Sequence, residues 1–202
     1  MSVTVIDYKA GNLTSVLKAL RHLGAEPVVT DSSLAAVEAA ERIVLPGVGH
    51  FAATARLDAT GLTCALRAAI ARGVPFLGIC VGMQWLYAGS GEAPAQPGLG
   101  CFAERCARFP ESTEKVPHVG WNSLEIRPGS RLLAGVDGGE YVYFTHSYKA
   151  PLTDDTAAVT RYIEPFAAAV ERGNVFGVQF HPEKSGAAGL KILRNFLAWK
   201  GN

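Results

Sequence analysis

The apolar positions of the chain fall into two rhythms that alternate along its first half. Val3-Thr4-Val5-Ile6 is a run of strand length, and Leu13, Val16, Leu17 and Leu20 then recur at the three- and four-residue spacing of one helix face. Gly24 is placed to end that helix, and Pro27–Val29 reads as the next strand. Leu34–Ala40 predicts a short helix, Ile43–Leu45 a strand, and Leu62–Ala71 a helix closed by Gly73. Cys64 lies among the apolar positions of that helix and is expected in the core. Phe76–Ile79 predicts a strand that runs into a helix-compatible stretch from Met83 to Tyr87. Such alternation implies an α/β fold with a mostly parallel, flavodoxin-like central sheet flanked by helices.

The second half has a different pattern. Cys101–Arg108, Asn122–Ile126, Tyr141–Thr145, Ala157–Tyr162 and a hairpin around Gly173-Asn174 predict additional antiparallel strands. Gly89–Gly100, rich in glycine and proline, reads as a loop. A last helix is expected from Ala187 to Trp199, with Leu190, Leu193, Phe196 and Leu197 as its inner face.

Composition narrows the class. With 202 residues, 49% of them hydrophobic, residues 1–202 are expected to form one domain with a sizeable core. A net charge of +1 gives no basic excess for nucleic acid. No apolar stretch approaches the roughly 20 residues of a membrane span. The chain opens on a strand pattern with no signal-peptide character, so a cytoplasmic location is expected. The four cysteines, at 64, 80, 101 and 106, form no C-x-x-C, so neither a zinc site nor a disulfide framework is expected.

Chemistry enters at Gly78-Ile79-Cys80-Val81-Gly82. A strand leads in and a helix leads out, which makes this the thiol counterpart of the G-x-S-x-G nucleophile elbow. The flanking glycines relieve a crowded turn, and a helix N-terminus favours the thiolate. A glycine-flanked cysteine also fits a small buried hydrophobe. His181-Pro182-Glu183, after the strand-like Val175–Phe180, tips the balance. A cysteine nucleophile needs a base, and the base needs an acceptor to orient it. His181 and Glu183, two apart on an extended segment, are expected to project from one side, with Pro182 holding His181 extended. Pro46-Gly47-Val48-Gly49 ends another strand. The Val48 N–H, with the Val81 N–H, is a candidate donor for the oxyanion that acyl chemistry at a thiol creates. Read alone, the 46–49 segment is an ordinary turn.

In this order and spacing, the three motifs resemble class I glutamine amidotransferases over essentially the whole chain. The resemblance implies that Cys80 attacks the amide carbon of glutamine and forms a thioester, with His181 as acid and base and Glu183 orienting it. It implies no cofactor and no metal. It implies that Val48 joins the oxyanion hole after a local backbone rearrangement. Gly49, Gln84, Glu92, Ser147 and Tyr148 become candidates for binding glutamine. Gln84 reaches the head group, Glu92 pairs the ammonium, and the 147–148 main chain meets the carboxylate.

Asp7-Tyr8-Lys9-Ala10-Gly11-Asn12, Pro117-His118-Val119-Gly120-Trp121-Asn122 and His181-Pro182-Glu183-Lys184-Ser185-Gly186 narrow the resemblance. They are similar to the glutaminase subunits of imidazole glycerol phosphate synthases. Those subunits form a heterodimer with a (β/α)8-barrel cyclase that receives the ammonia. The resemblance makes Asn12, Trp121, Asn122 and Lys184 candidates for the cyclase interface. On the residues alone, Asn12 reads as a helix cap and Trp121 as a half-buried aromatic, and His118 and His146 as packing or hydrogen-bonding groups. Lys9 and Lys149 depart from the family pattern. Alternatives are a glutaminase for another synthase, a stand-alone γ-glutamyl hydrolase, and a non-catalytic regulatory subunit.

Overall fold

Strands buried on both faces set the frame of the molecule. In the computed structural model, which describes residues 1–9 and 13–201, β1 (Ser2–Ile6) is followed by α1 (Leu13–His22), β2 (Glu26–Thr30), α2 (Leu34–Glu38) and β3 (Ile43–Gly47). A 3-10 turn, Phe51–Thr54, leads to α3 (Ala55–Ala59) and α4 (Leu62–Ala71); β4 (Phe76–Cys80) then runs straight into α5 (Val81–Trp85). Every residue of β3 and β4 is buried, as expected of parallel strands covered on both sides. In α1, Val16, Ala19 and Leu20 turn inward, and Gly24 follows with φ +80°.

The second half supplies β5 (Tyr87–Ser90), β6 (Phe102–Arg108), β7 (His118–Ser123), β8 (Glu125–Ile126), β9 (Tyr141–His146) and β10 (Tyr148–Lys149). It continues with β11 (Thr156–Tyr162), β12 (Glu164–Arg172), β13 (Val175–Val178), a 3-10 turn at Pro182–Lys184 and α6 (Gly186–Ala198). Among the described residues the main sheet has the order β2-β1-β3-β4-β13-β12-β11-β8. It is parallel from β2 to β13 and antiparallel beyond, with β11–β12–β13 joined as consecutive hairpins. The 2-1-3-4 start is the flavodoxin-like order, whose switch point lies between β1 and β3. Two smaller sheets, β10-β6-β5 and β7-β9, pack beside it. α2 and α3 pack on α4, whereas α1 and α6 both meet the 182–184 turn.

Three expectations need correction, and one helix has no counterpart among them. Tyr87 starts strand β5 instead of prolonging the elbow helix, so part of the expected 89–100 loop is strand. The reason is tertiary, since β5 pairs with β6. Asn122–Ile126 splits into β7, which begins earlier, and β8, which joins a different sheet. No expected element corresponds to α3. Cys64 is exposed. At about 100° per residue it lies across the helix from Leu62, Leu66 and Ala69, which are buried. No helix among the described residues is long and apolar enough to cross a membrane.

Candidate active site

Cys80 sits at the apex of a tight strand-to-helix turn with φ 54° and ψ −109°, a conformation rarely adopted by a residue with a side chain. Its glycine neighbours answer a steric demand. A Cβ on Gly82 would lie 1.9 Å from the Leu45 carbonyl oxygen, and one on Gly78 would lie 2.4 Å from the Gly82 oxygen. The elbow helix can therefore start flush against β3 only with glycine there. Gly47 pairs in register with Cys80, which brings Val48 and Gly49 to the edge of the nucleophile. Val48 is half-buried and Gly49 exposed with φ +98°, while Val81 is buried at the first turn of α5.

β13 delivers His181 beside Cys80 because Ile79 pairs with Val178 in parallel register. The ring is 1% exposed on its side chain, and its Nδ1 lies 2.9 Å from Glu183 Oε1. His181 itself is extended, but Pro182–Lys184 form a 3-10 turn. The carboxylate thus reaches Nδ1 by chain reversal and not, as expected, by projecting from one side of an extended segment. The turn is pinned from β9: the His181 N–H donates to the Tyr143 carbonyl at 2.9 Å. The Ser185 hydroxyl donates to the His181 carbonyl at 2.6 Å and accepts the Tyr143 N–H at 3.0 Å. His181 Nε2 and Glu183 Oε2 are buried without a conventional hydrogen-bond partner. So is the Tyr8 hydroxyl, in a small enclosed space shared by Gly47, Val48, His181 and Glu183.

Burial penalises a charged imidazole, yet the interactions of the ring with Cys80 and Glu183 outweigh it and lift the His181 pKa to about 10. A folded pKa above the free value of 6.5 has a definite sign. The stabilisation is complete below about pH 6.5 and is lost as pH rises through about 10. The His181 ring is therefore expected to show imidazolium nitrogen shifts at pH 8 by NMR. Cys80→Ala is expected to lower its titration midpoint and flatten the alkaline fall in unfolding free energy. A His181 midpoint unchanged by Cys80→Ala would contradict this account.

Several candidate substrate residues are placed differently from expectation. Gln84 is buried, and its amide nitrogen donates to the Tyr148 carbonyl at 2.9 Å and to Gln179 Oε1 at 3.0 Å. It props the 148 main chain instead of reaching out to a ligand, because one helical turn from Cys80 points it inward. Gln179 Nε2 in turn lies 3.6 Å from the Cys80 sulfur. Gln179 escaped the sequence reading, although a lone amide within the apolar Val178-Gln179-Phe180 was a legible signal. Glu92 Oε2 accepts the Phe51 N–H at 2.8 Å, which ties it to the segment after Gly49. The Ser147 carbonyl accepts the Phe109 N–H at 3.1 Å, and Tyr148 opens β10.

Trp121 is 55% exposed, and Val119 and Tyr141 on the same two-stranded sheet are 57% and 59% exposed. Trp121 stands edge-on to Tyr143 at 6.1 Å, and Lys184 Nζ lies 5.6 Å from the Tyr143 ring centre. Trp121 and Lys184 thus each lie against a tyrosine whose main chain holds His181. Asn122 does not share that face. Strand alternation turns it inward, where its amide donates to the Arg161 carbonyl at 3.1 Å. Asn12 lies outside the described residues. Of the two departures, Lys149 is largely buried and pairs with Glu164 at 3.0 Å. Lys9 pairs with Asp7 at 2.9 Å and Asp31 at 3.3 Å.

The family model "Glutamine amidotransferase class-I" matches residues 4–199. The chain is 47% identical over 200 residues to the imidazole glycerol phosphate synthase subunit HisH of Deinococcus radiodurans, covering 96% of this chain and 92% of that one. It is 48% identical over 197 residues to the HisH subunit of Methanothermobacter thermautotrophicus, covering 96% and 97%. Among solved structures, one described as a glutamine amidotransferase superposes with a TM-score of 0.76 at 22% identity over 96% of both chains. PurLQS from Thermotoga maritima superposes with a TM-score of 0.71 at 22% identity over 97% of both chains.

Proposed function

The chain belongs to the class I glutamine amidotransferase family, and from that membership we propose that it serves as the glutaminase subunit of imidazole glycerol phosphate synthase in histidine biosynthesis. The pathway rests on 47–48% identity to HisH subunits over nearly their full length. The observation that carries the chemistry is the strained Cys80 elbow facing a buried imidazole whose other nitrogen is held by Glu183. The Cys80 sulfur bonds to the amide carbon of glutamine, and the C–N bond breaks as His181 gives its proton to the leaving ammonia. Water then attacks the thioester, His181 takes its proton, the C–S bond breaks and glutamate leaves, so the free Cys80 sulfur and the protonated His181 of the starting pair are restored. Glu183 keeps the ring oriented and stabilises its charged form. The Val48 and Val81 N–H groups hold the oxyanion. The 147–148 main chain takes the substrate carboxylate and Glu92 its ammonium, with Gly49 permitting close approach. One domain, 1–202, working in the cytoplasm without a cofactor, completes the reading.

The partner is a (β/α)8-barrel cyclase that receives the ammonia and makes imidazole glycerol phosphate and aminoimidazole carboxamide ribotide. Its docking face is the exposed sheet of Val119, Trp121 and Tyr141 with Lys184 at the edge. An exposed tryptophan among aromatic neighbours suits an interface anchor. Trp121→Ala is expected to weaken cyclase binding at least about 30-fold, the size of a hot spot near 2 kcal/mol, without shifting thermal unfolding. Unchanged affinity in a titration would remove Trp121 from the interface.

The deciding experiment is ammonia release from glutamine, with and without the cyclase and its nucleotide ligand. Stimulation by that pair is the expected result. Full turnover by the chain alone would favour a free-standing γ-glutamyl hydrolase. No turnover in either condition would overturn the catalytic reading.

A further inference from the structure

Behind the exposed β7–β9 sheet lies a pair of buried histidines that no catalytic step uses. With both rings neutral, their hydrogen bonds run in one direction. His146 Nδ1 lies 2.9 Å from the Tyr148 carbonyl oxygen. A carbonyl only accepts, so Nδ1 carries the proton. Burial lowers the His146 pKa to about 3, so the ring is neutral and its Nε2 is an acceptor. The atom 3.1 Å from that Nε2 is His118 Nδ1, which must therefore donate. Burial likewise lowers the His118 pKa to about 4. Its Nε2 is then an acceptor too, and Asn122 Nδ2 stands 3.4 Å away as the donor. The His118 ring is fixed in plane by stacking between Tyr162 at 4.1 Å and Phe144 at 4.8 Å.

The chain of bonds ends on the segment where the carboxylate of glutamine is proposed to bind. The Tyr148 carbonyl receives a second bond from Gln84 at 2.9 Å, which uses both of its lone pairs. The Ser147 carbonyl is held by the Phe109 N–H at 3.1 Å, and a trans peptide then aims the Tyr148 N–H away from Phe109. Two consecutive peptide planes are thus fixed from behind. From the geometry we infer that His118 and His146 are positioning residues: a neutral, one-way imidazole pair that sets the orientation of the 147–148 main chain for binding glutamine. The inference rests on the glutaminase reading and deepens it.

The test is steady-state glutamine hydrolysis by the complex with saturating cyclase and its ligand, for the parent, His118→Phe, His146→Leu and His146→Asn. His118→Phe keeps a ring in the Tyr162–Phe144 stack and deletes both nitrogens. It is expected to raise KM about 2- to 10-fold, the span of one neutral hydrogen bond. His146→Leu leaves the Tyr148 carbonyl short of a donor and is expected to raise KM about 10- to 100-fold. In both, kcat stays within about twofold of the parent, the pattern of lost binding. His146→Asn, whose amide can occupy the Nδ1 position, is expected to recover most of the loss. A merely structural role would lower thermal stability without this split or this rescue. Parent-like KM in His118→Phe and His146→Leu overturns the inference, as does equal KM for the Asn and Leu variants or a loss confined to kcat. If His146→Leu does not fold, His118→Phe decides by the same KM criterion. A parent complex that releases no ammonia brings down the glutaminase reading and the inference together. Parent turnover with unshifted variants brings down the inference alone.

Discussion

Cys80→Ala is expected to cut glutamine turnover by at least about 10⁴-fold, the scale seen when a nucleophile that works with a base is removed. The rest of the site cannot substitute. His181 is a proton carrier, and the backbone donors only stabilise charge that forms after attack. The chain is expected still to fold, since the change removes one sulfur from a site that is 3% exposed and leaves φ at 54°, but to lose at neutral pH the part of the His181 stabilisation that Cys80 supplies. The backbone strain makes a second comparison available. Glycine adopts φ 54° without steric cost. Cys80→Gly should therefore unfold at higher denaturant than Cys80→Ala while being equally inactive, by a margin on the order of 1 kcal/mol. Residual turnover above about one part in 10³ in the alanine variant would mean that another group performs the attack. A glycine variant no more stable than the alanine one would mean that the elbow stores no strain.

Gly82→Ala is expected to have the largest effect on folding. The added Cβ would stand 1.9 Å from the Leu45 carbonyl oxygen and 3.0 Å from its carbon. The obstacle is main chain of a fully buried strand, so no side chain can rotate away. Either β3 or α5 must shift, at a cost of about 3–5 kcal/mol, the upper range for a single substitution. Because β3 leads to Val48 and α5 starts at Cys80, the folded fraction should also lose activity. Gly73→Ala is the control: it meets open space and carries only the penalty of φ +88°. Equilibrium denaturation of the two variants checks the claim. Equal midpoints would show that the Leu45–Gly82 contact yields easily.

The elbow was legible in the sequence because its constraints are local. Strand, glycine, cysteine, glycine and helix follow within a few residues, and close backbone approach selects the glycines. The alternation of β1 to β4 with their helices was legible for the same reason. What escaped depends on partners distant in the chain. Tyr87 becomes strand through Phe102, and Asn122 turns inward because Trp121 takes the outer face. Gln84 was read as a ligand contact, and only the fold shows it bonded to Tyr148 and Gln179. Cys64 stands among apolar positions in the sequence but projects to the opposite side of the helix from Leu62, Leu66 and Ala69. Glu183 and His181 are legible as a pair in the sequence, but the 3-10 turn that brings them together is not. That turn depends on Tyr143 and Ser185, which no spacing rule connects to it.

The parallel pairing of β4 with β13, Ile79 against Val178, has a consequence for the chain while it is being made. Cys80 belongs to the β1–β4 half, whereas His181 is brought in by a strand about 100 residues further along the chain, so the site needs a pairing between distant segments. Such distant pairing is a slow, late event in folding. Until β13 pairs with β4, a ribosome-bound or partly folded chain carries the Cys80 thiol without its imidazole, so competence to spend glutamine comes with that pairing.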